Sequence, residues 1–100
     1  MAEKIKLSFV NGGKPFDIPH MTVSRQEELM EKIVEVEKKY SDEKKRNQEI
    51  NKYMVLKTLQ LVDKDVNIEH INNMHPDDFV FVFQMIWDKG REIHSEKNFQ

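Results

Sequence analysis

The segment 50–62 constrains this chain most, because its apolar residues do not fit a single narrow stripe. On a helical wheel Ile50, Met54 and Leu61 fall on one side, while Val55, Leu59 and Val62 fall on the other. A helix apolar on two sides is sandwiched between other elements. The sequence therefore places a central helix over 42–62, and the rest of the chain has to supply what covers it.

Upstream, Ile5, Leu7 and Phe9 alternate with Lys4, Lys6 and Ser8, the period of a half-buried strand. Asn11-Gly12-Gly13 follows, residues that tolerate the positive φ of a tight hairpin turn. Phe16 and Ile18 alternate on the return, bracketed by Pro15 and Pro19, which makes that strand a short edge. Residues 4–18 thus read as a β-hairpin. A lone hairpin is only marginally stable and needs a helical layer beneath it.

Ser24-Arg25-Gln26-Glu27 has the form of a capping box and opens a helix over 24–40. Leu29, Ile33, Val36 and Tyr40 form its stripe, which Met30 and Val34 widen. Glu28 with Lys32 and Glu35 with Lys39 form i,i+4 pairs on the wet side. Ser41 to Glu49 contains no apolar residue, and Ser41-Asp42 are natural capping residues. A break there avoids an uninterrupted helix over 24–62 of about 58 Å, which would suit an oligomer better than a compact monomer. Asn67 caps a short helix over 67–74. Pro76 with Asp77 and Asp78 opens a last helix over 76–94. Phe79–Phe83 has strand propensity, but the spacing of Phe79, Phe83, Ile86, Gly90 and Ile93 is helical. The fold class is α+β, mostly α: a hairpin followed by three to four helices in one domain spanning 1–100.

Composition narrows the chemistry. Eighteen acidic residues nearly cancel sixteen basic ones, so no strong field draws the chain onto nucleic acid or an anionic membrane. There is no cysteine, hence no thiol chemistry. The N-terminus lacks the apolar core of a secretion signal, and no apolar run approaches a membrane span. His20, His70, His75 and His94 match no zinc spacing and read as surface or capping residues. Asp63-x-Asp65-x-Asn67 begins like a calcium loop. It then puts Ile68 where glycine is needed and Met74 where glutamate is needed. No nucleophile elbow or phosphate-cradling loop occurs, and the expectation is no enzyme, no cofactor and no metal. Lys44-Lys45-Arg46 is flanked by Asp42, Glu43 and Glu49, a mixed-charge face. Residues 67–92 could imitate a helix-turn-helix. Its second helix would offer Val80, Phe81, Met85 and Trp87, the wrong chemistry for base edges.

What remains is protein binding. Phe81 and Met85 fall on a flank shared with Gln84, Asp88 and Glu92, and Trp87 stands at the margin of the core face. With Val55, Leu59 and Val62 of the central helix they form the expected partner surface. The alternative is that all of them pack within the monomer.

Two stretches, MTVSRQEELMEKIVEVEK (residues 21–38) and MHPDDFVFVFQMIWDKGRE (residues 74–92), resemble tail assembly chaperones of long-tailed bacteriophages. So does the order of a short β segment, an amphipathic helix opening with Thr/Ser and paired glutamates, and further helices. The likeness covers most of the chain, and its motifs are apolar spacings plus a His-Pro-Asp-Asp helix start. It implies a cofactor-free protein of the bacterial host cytoplasm, absent from the mature virion. Such a protein binds the tape-measure protein, keeps it soluble and helps recruit tail tube protein. It also implies homo-oligomers and, in many members, a longer frameshifted form. A small homo-oligomeric adaptor and a helical DNA-binding regulator are the rival classes.

Overall fold

The computed structural model describes residues 4–98, with side chains through Trp87. A two-stranded antiparallel hairpin, β1 (Lys4–Ile5) with β2 (Phe16–Asp17), precedes four helices: α1 (Val23–Lys39), α2 (Glu43–Val62), α3 (Ile68–Asn72) and α4 (Pro76–Asn98). The fold is α+β, mostly α.

The hairpin is shorter than the alternation suggests. Lys4 pairs with Asp17 and Ile5 with Phe16, and residues 6–15 leave the ladder. The reason is that the burial period changes from two to three. Leu7 and Val10 are both buried, and a turn joins them through Val10 N–H donating to the Leu7 carbonyl at 3.0 Å. The tight turn expected at Asn11-Gly12-Gly13 is one turn of i→i+3 bonds, with φ of 54°, 65° and 79° at its three residues. Three successive residues in the left-handed region are affordable only because two are glycine and the third asparagine.

Helix α1 starts one residue before the expected position. Its cap is Thr22, whose hydroxyl accepts from Arg25 N–H at 3.2 Å, so Ser24 is not the cap. The break before α2 falls at Tyr40–Asp42, where the Asp42 carboxylate accepts from Lys44 N–H at 3.3 Å. Asn67 caps α3 in a capping box closed by His70 Nδ1, which accepts from Asn67 N–H at 3.1 Å. His75 Nδ1 likewise accepts from Asp77 N–H at 3.1 Å at the start of α4. The Asp63 connector folds on itself, Asp65 N–H donating to Asp63 Oδ1 at 3.0 Å.

Helix α2 packs against α1, α3 and α4, which makes it the centre of the fold. Its buried residues are Met54, Val55, Thr58 and Leu59. At 100° per residue these span one arc of about 140°. The two apolar sides read from the sequence are therefore the shoulders of a single broad face with Thr58 between them. Leu61, assigned to that pattern, is largely exposed, lying outside the buried arc. Leu7, Val10, Phe16 and Ile18 from the hairpin close over Leu29, Leu59, Val66, Ile71, Val82 and Ile86 to complete the core. Met21 N–H reaches the Ile86 carbonyl at 3.4 Å and ties the segment before α1 to α4.

Candidate protein-binding surface

The residues expected to meet a partner are mostly engaged by their own chain. Val55 and Leu59 are fully buried, which removes both from any open surface. They lie on the face of α2 that the other elements cover. Val62 is half-buried, as are Phe81, Met85 and Trp87, and all four pack against the core. Phe81 and Met85 are thus half-buried rather than open, while Asp88 and Glu92 of the same flank lie outside the described side chains. Among the described side chains of α4 after its first turn, Val80, half exposed, and Gln84 face outward. Ile93 and His94 lie outside the described side chains.

Open apolar surface lies on α1 instead. Met30 and Val34, which periodicity assigned to the core stripe, are 60% and 52% exposed. Val23, one helical heptad before Met30, is 75% exposed. The buried residues of α1 are Leu29 and Val36, with Ile33 half-buried beside them. Met30 and Val34 are rotated from the Leu29–Ile33–Val36 stripe by about 100° on the wheel, too far to reach the same core. That rotation is the signal the sequence carried. Glu27, Glu31 and Glu37 flank the row, with exposed Lys38 on the side of Glu27 and Glu31. Between Gln26 and Glu37 stand five glutamates (27, 28, 31, 35 and 37), all exposed, and one lysine. That lysine, Lys32, pairs with Glu35 at 3.4 Å rather than with Glu28, and lies 5.2 Å from the Tyr53 ring centroid on α2. The Tyr53 hydroxyl is pushed above its ordinary pKa, first by desolvation and then by Glu28, Glu35 and Glu31. Glutamates of α1 thus act on the Tyr53 hydroxyl, while the ammonium groups of Lys32 and Lys57 lie over its ring.

A polar clamp that hydropathy does not reveal holds α1 in place. The Arg25 guanidinium donates to the carbonyls of His20 and Pro19 and, through Nη2, to the Thr58 hydroxyl. Thr58 in turn donates to the Met54 carbonyl at 2.8 Å. Burial lowers the Arg25 pKa, opposed by Glu28. Three elements meet at this point: the exit from β2, the first turn of α1, and α2. The outer row is therefore presented on a fixed support.

A cleft of about 360 Å³ opens between residues 6–9 and the α3–α4 junction, with His70, His75, Glu69 and Asp78 in its wall. Phe9 stacks on the His70 ring, centroids 5.0 Å apart and planes 9° from parallel. The Nδ1 atoms of both histidines already accept backbone N–H groups, so the rings serve helix starts. Among the described residues no three His, Asp or Glu gather as a metal would require. No helix among them is long and apolar enough to cross a membrane.

Comparison with protein-family models, curated proteins and solved structures finds no match to this chain.

Proposed function

We propose that this chain is a non-enzymatic assembly chaperone of the kind found in long-tailed bacteriophages. It would bind the tape-measure protein in the host cytoplasm, keep it soluble and support growth of the tail tube. The observation that carries this reading is the open apolar row Val23, Met30 and Val34 on a helix whose Leu29–Ile33–Val36 stripe is anchored in the core. A protein that shields an aggregation-prone helical client needs apolar surface that stays available when its own core is complete. Methionine in that row adds adaptability toward a client with many similar segments. The resemblance of residues 21–38 and 74–92 to the phage proteins supplies the identity of the client.

The reading requires a long helical client to be encoded near this chain, and the test is co-expression with that client, measuring its soluble fraction. A marked rise over expression of the client alone is expected. An unchanged soluble fraction, with this chain folded and abundant, overturns the reading. It would favour the homo-oligomeric adaptor if sedimentation also finds a stable oligomer.

A further inference from the structure

The outer face of α1 has the dimensions and charge of a site for one kind of partner. Val23, Met30 and Val34 succeed one another at spacings of seven and four, a straight row along one side of the helix. It spans about 16 Å at 1.5 Å per residue. Such a row fits the side of another helix, whose own side chains recur at the same intervals. An extended strand, with side chains on one face every 6–7 Å or so, would keep no such register.

The rim decides which helix. Glu27 and Glu31 lie on one side of the row and Glu37 on the other, all exposed. Residues 26–39 carry five glutamates against three lysines, a net of −2; Lys32 is held by Glu35 and Tyr53, Lys39 lies by the Tyr40 ring, and exposed Lys38 closes the C-terminal end of the rim. Under two-fold symmetry a second copy of this face would set glutamates against glutamates, a like-charge contact that disfavours self-pairing. A helix with an apolar stripe edged by lysine or arginine meets both the row and the rim.

We infer that the outward face of α1, Val23, Met30 and Val34 rimmed by Glu27, Glu31 and Glu37, docks a basic amphipathic helix of a different protein. This rests on the chaperone reading and deepens it, since it names the chemistry of the client segment. The contact is helix against helix, with affinity from the apolar row and selectivity and on-rate from the glutamates.

The experiment uses the full chain and two synthetic helical peptides with one leucine stripe, one edged by lysines and one by glutamates. Binding is read by fluorescence anisotropy. The basic peptide binds and the acidic one does not. Raising salt from about 50 to about 300 mM weakens the basic peptide because the rim is solvent-exposed. Met30→Ser with Val34→Ser lowers affinity about tenfold or more, for the loss of two apolar contacts, without changing the melting temperature. Glu27→Lys with Glu31→Lys reverses the preference between peptides. Equal binding of both peptides overturns the inference. So does undiminished binding by the serine variant, or a serine variant that melts early, because the row would then be covered by its own chain. Self-association of the wild type that the serine variant abolishes overturns it in favour of a second copy. If the client is solubilised while the basic peptide fails, the docking inference falls alone. If the basic peptide binds and the client stays insoluble, the chaperone reading falls alone.

Discussion

Replacing Thr58 with valine preserves shape and β-branching while deleting a single hydroxyl, so it isolates the polar clamp from packing. In the native chain that hydroxyl is fully buried, donates to the Met54 carbonyl at 2.8 Å and accepts from Arg25. The Met54 carbonyl belongs to the helical ladder and loses little. The Arg25 Nη2 group, however, is left facing a methyl group. A hydrogen bond to a charged group contributes about 1.5–3 kcal/mol, and Arg25 is only partly buried, so water recovers some of that. The expected destabilisation of Thr58→Val is therefore about 1–2 kcal/mol. Arg25→Met keeps the aliphatic stem but abandons Thr58 and the His20 and Pro19 carbonyls, for about 1.5–3 kcal/mol. Both changes break the same bond, so the double variant should be more stable than their sum predicts, by about 1 kcal/mol. Equilibrium urea unfolding followed by helical dichroism measures this, read as midpoint shifts at constant slope. In thermal melts, 1 kcal/mol corresponds to about 4–8 °C for a chain of this size. Additivity within about 0.5 kcal/mol would refute the coupling, and with it the claim that the clamp fixes α1 on α2.

Three other outcomes follow from the geometry. Gly12→Ala should destabilise by about 1–2 kcal/mol through its φ of +65°, since nothing lies within 4 Å of the added Cβ; Gly12→Asn should cost less, as a chemical denaturation series would show. The Asp63 carboxyl is held below its ordinary pKa, first by the Asp65 N–H and then by the Asn11 N–H. Its stabilisation is therefore complete above the unfolded carboxylate range and is lost as pH falls through the lowered native value; melting curves of Asp63→Asn should lack that part of the acid dependence. Phe81→Ser with Met85→Ser should lower the melting temperature clearly, because both half-buried side chains pack on the core; an unchanged melt would return them to the partner surface.

The helices were legible in the sequence because each has a periodic face and a polar start. Asp42, Asn67 and the His75-Pro76 step all sit where α2, α3 and α4 begin. The start of α1 was read at Ser24, whereas the cap is Thr22. A tertiary contact accompanies the difference: with Thr22 as cap, the Arg25 side chain is directed back to the His20 carbonyl. The hairpin was misjudged in length because alternation counts residue types, whereas Leu7 and Val10 are buried at a spacing of three. Thr58 was invisible because a polar residue inside an apolar pattern reads as a gap, although here it joins the two halves of the α2 face. The open apolar row on α1 went unread for a related reason. Hydropathy assigns every apolar residue of an amphipathic segment to the core; the rotation of Met30 and Val34 away from the Leu29–Ile33–Val36 stripe was in the sequence, but the width of α1 that α2 covers was not.

The bond from Asn11 N–H to Asp63 Oδ2, 3.0 Å long, joins residues 52 positions apart. During synthesis the N-terminal turn therefore emerges well before its anchor exists. At roughly 5–20 residues per second the wait is about 3–10 s. Throughout it, Leu7, Val10, Phe16 and Ile18 have no α2 on which to rest. The α1–α2 pair, by contrast, is joined by the short connection Tyr40–Asp42, so its closure spans fewer residues. Chain growth thus imposes an order in which the paired helices form first and the segment made earliest is the last to dock.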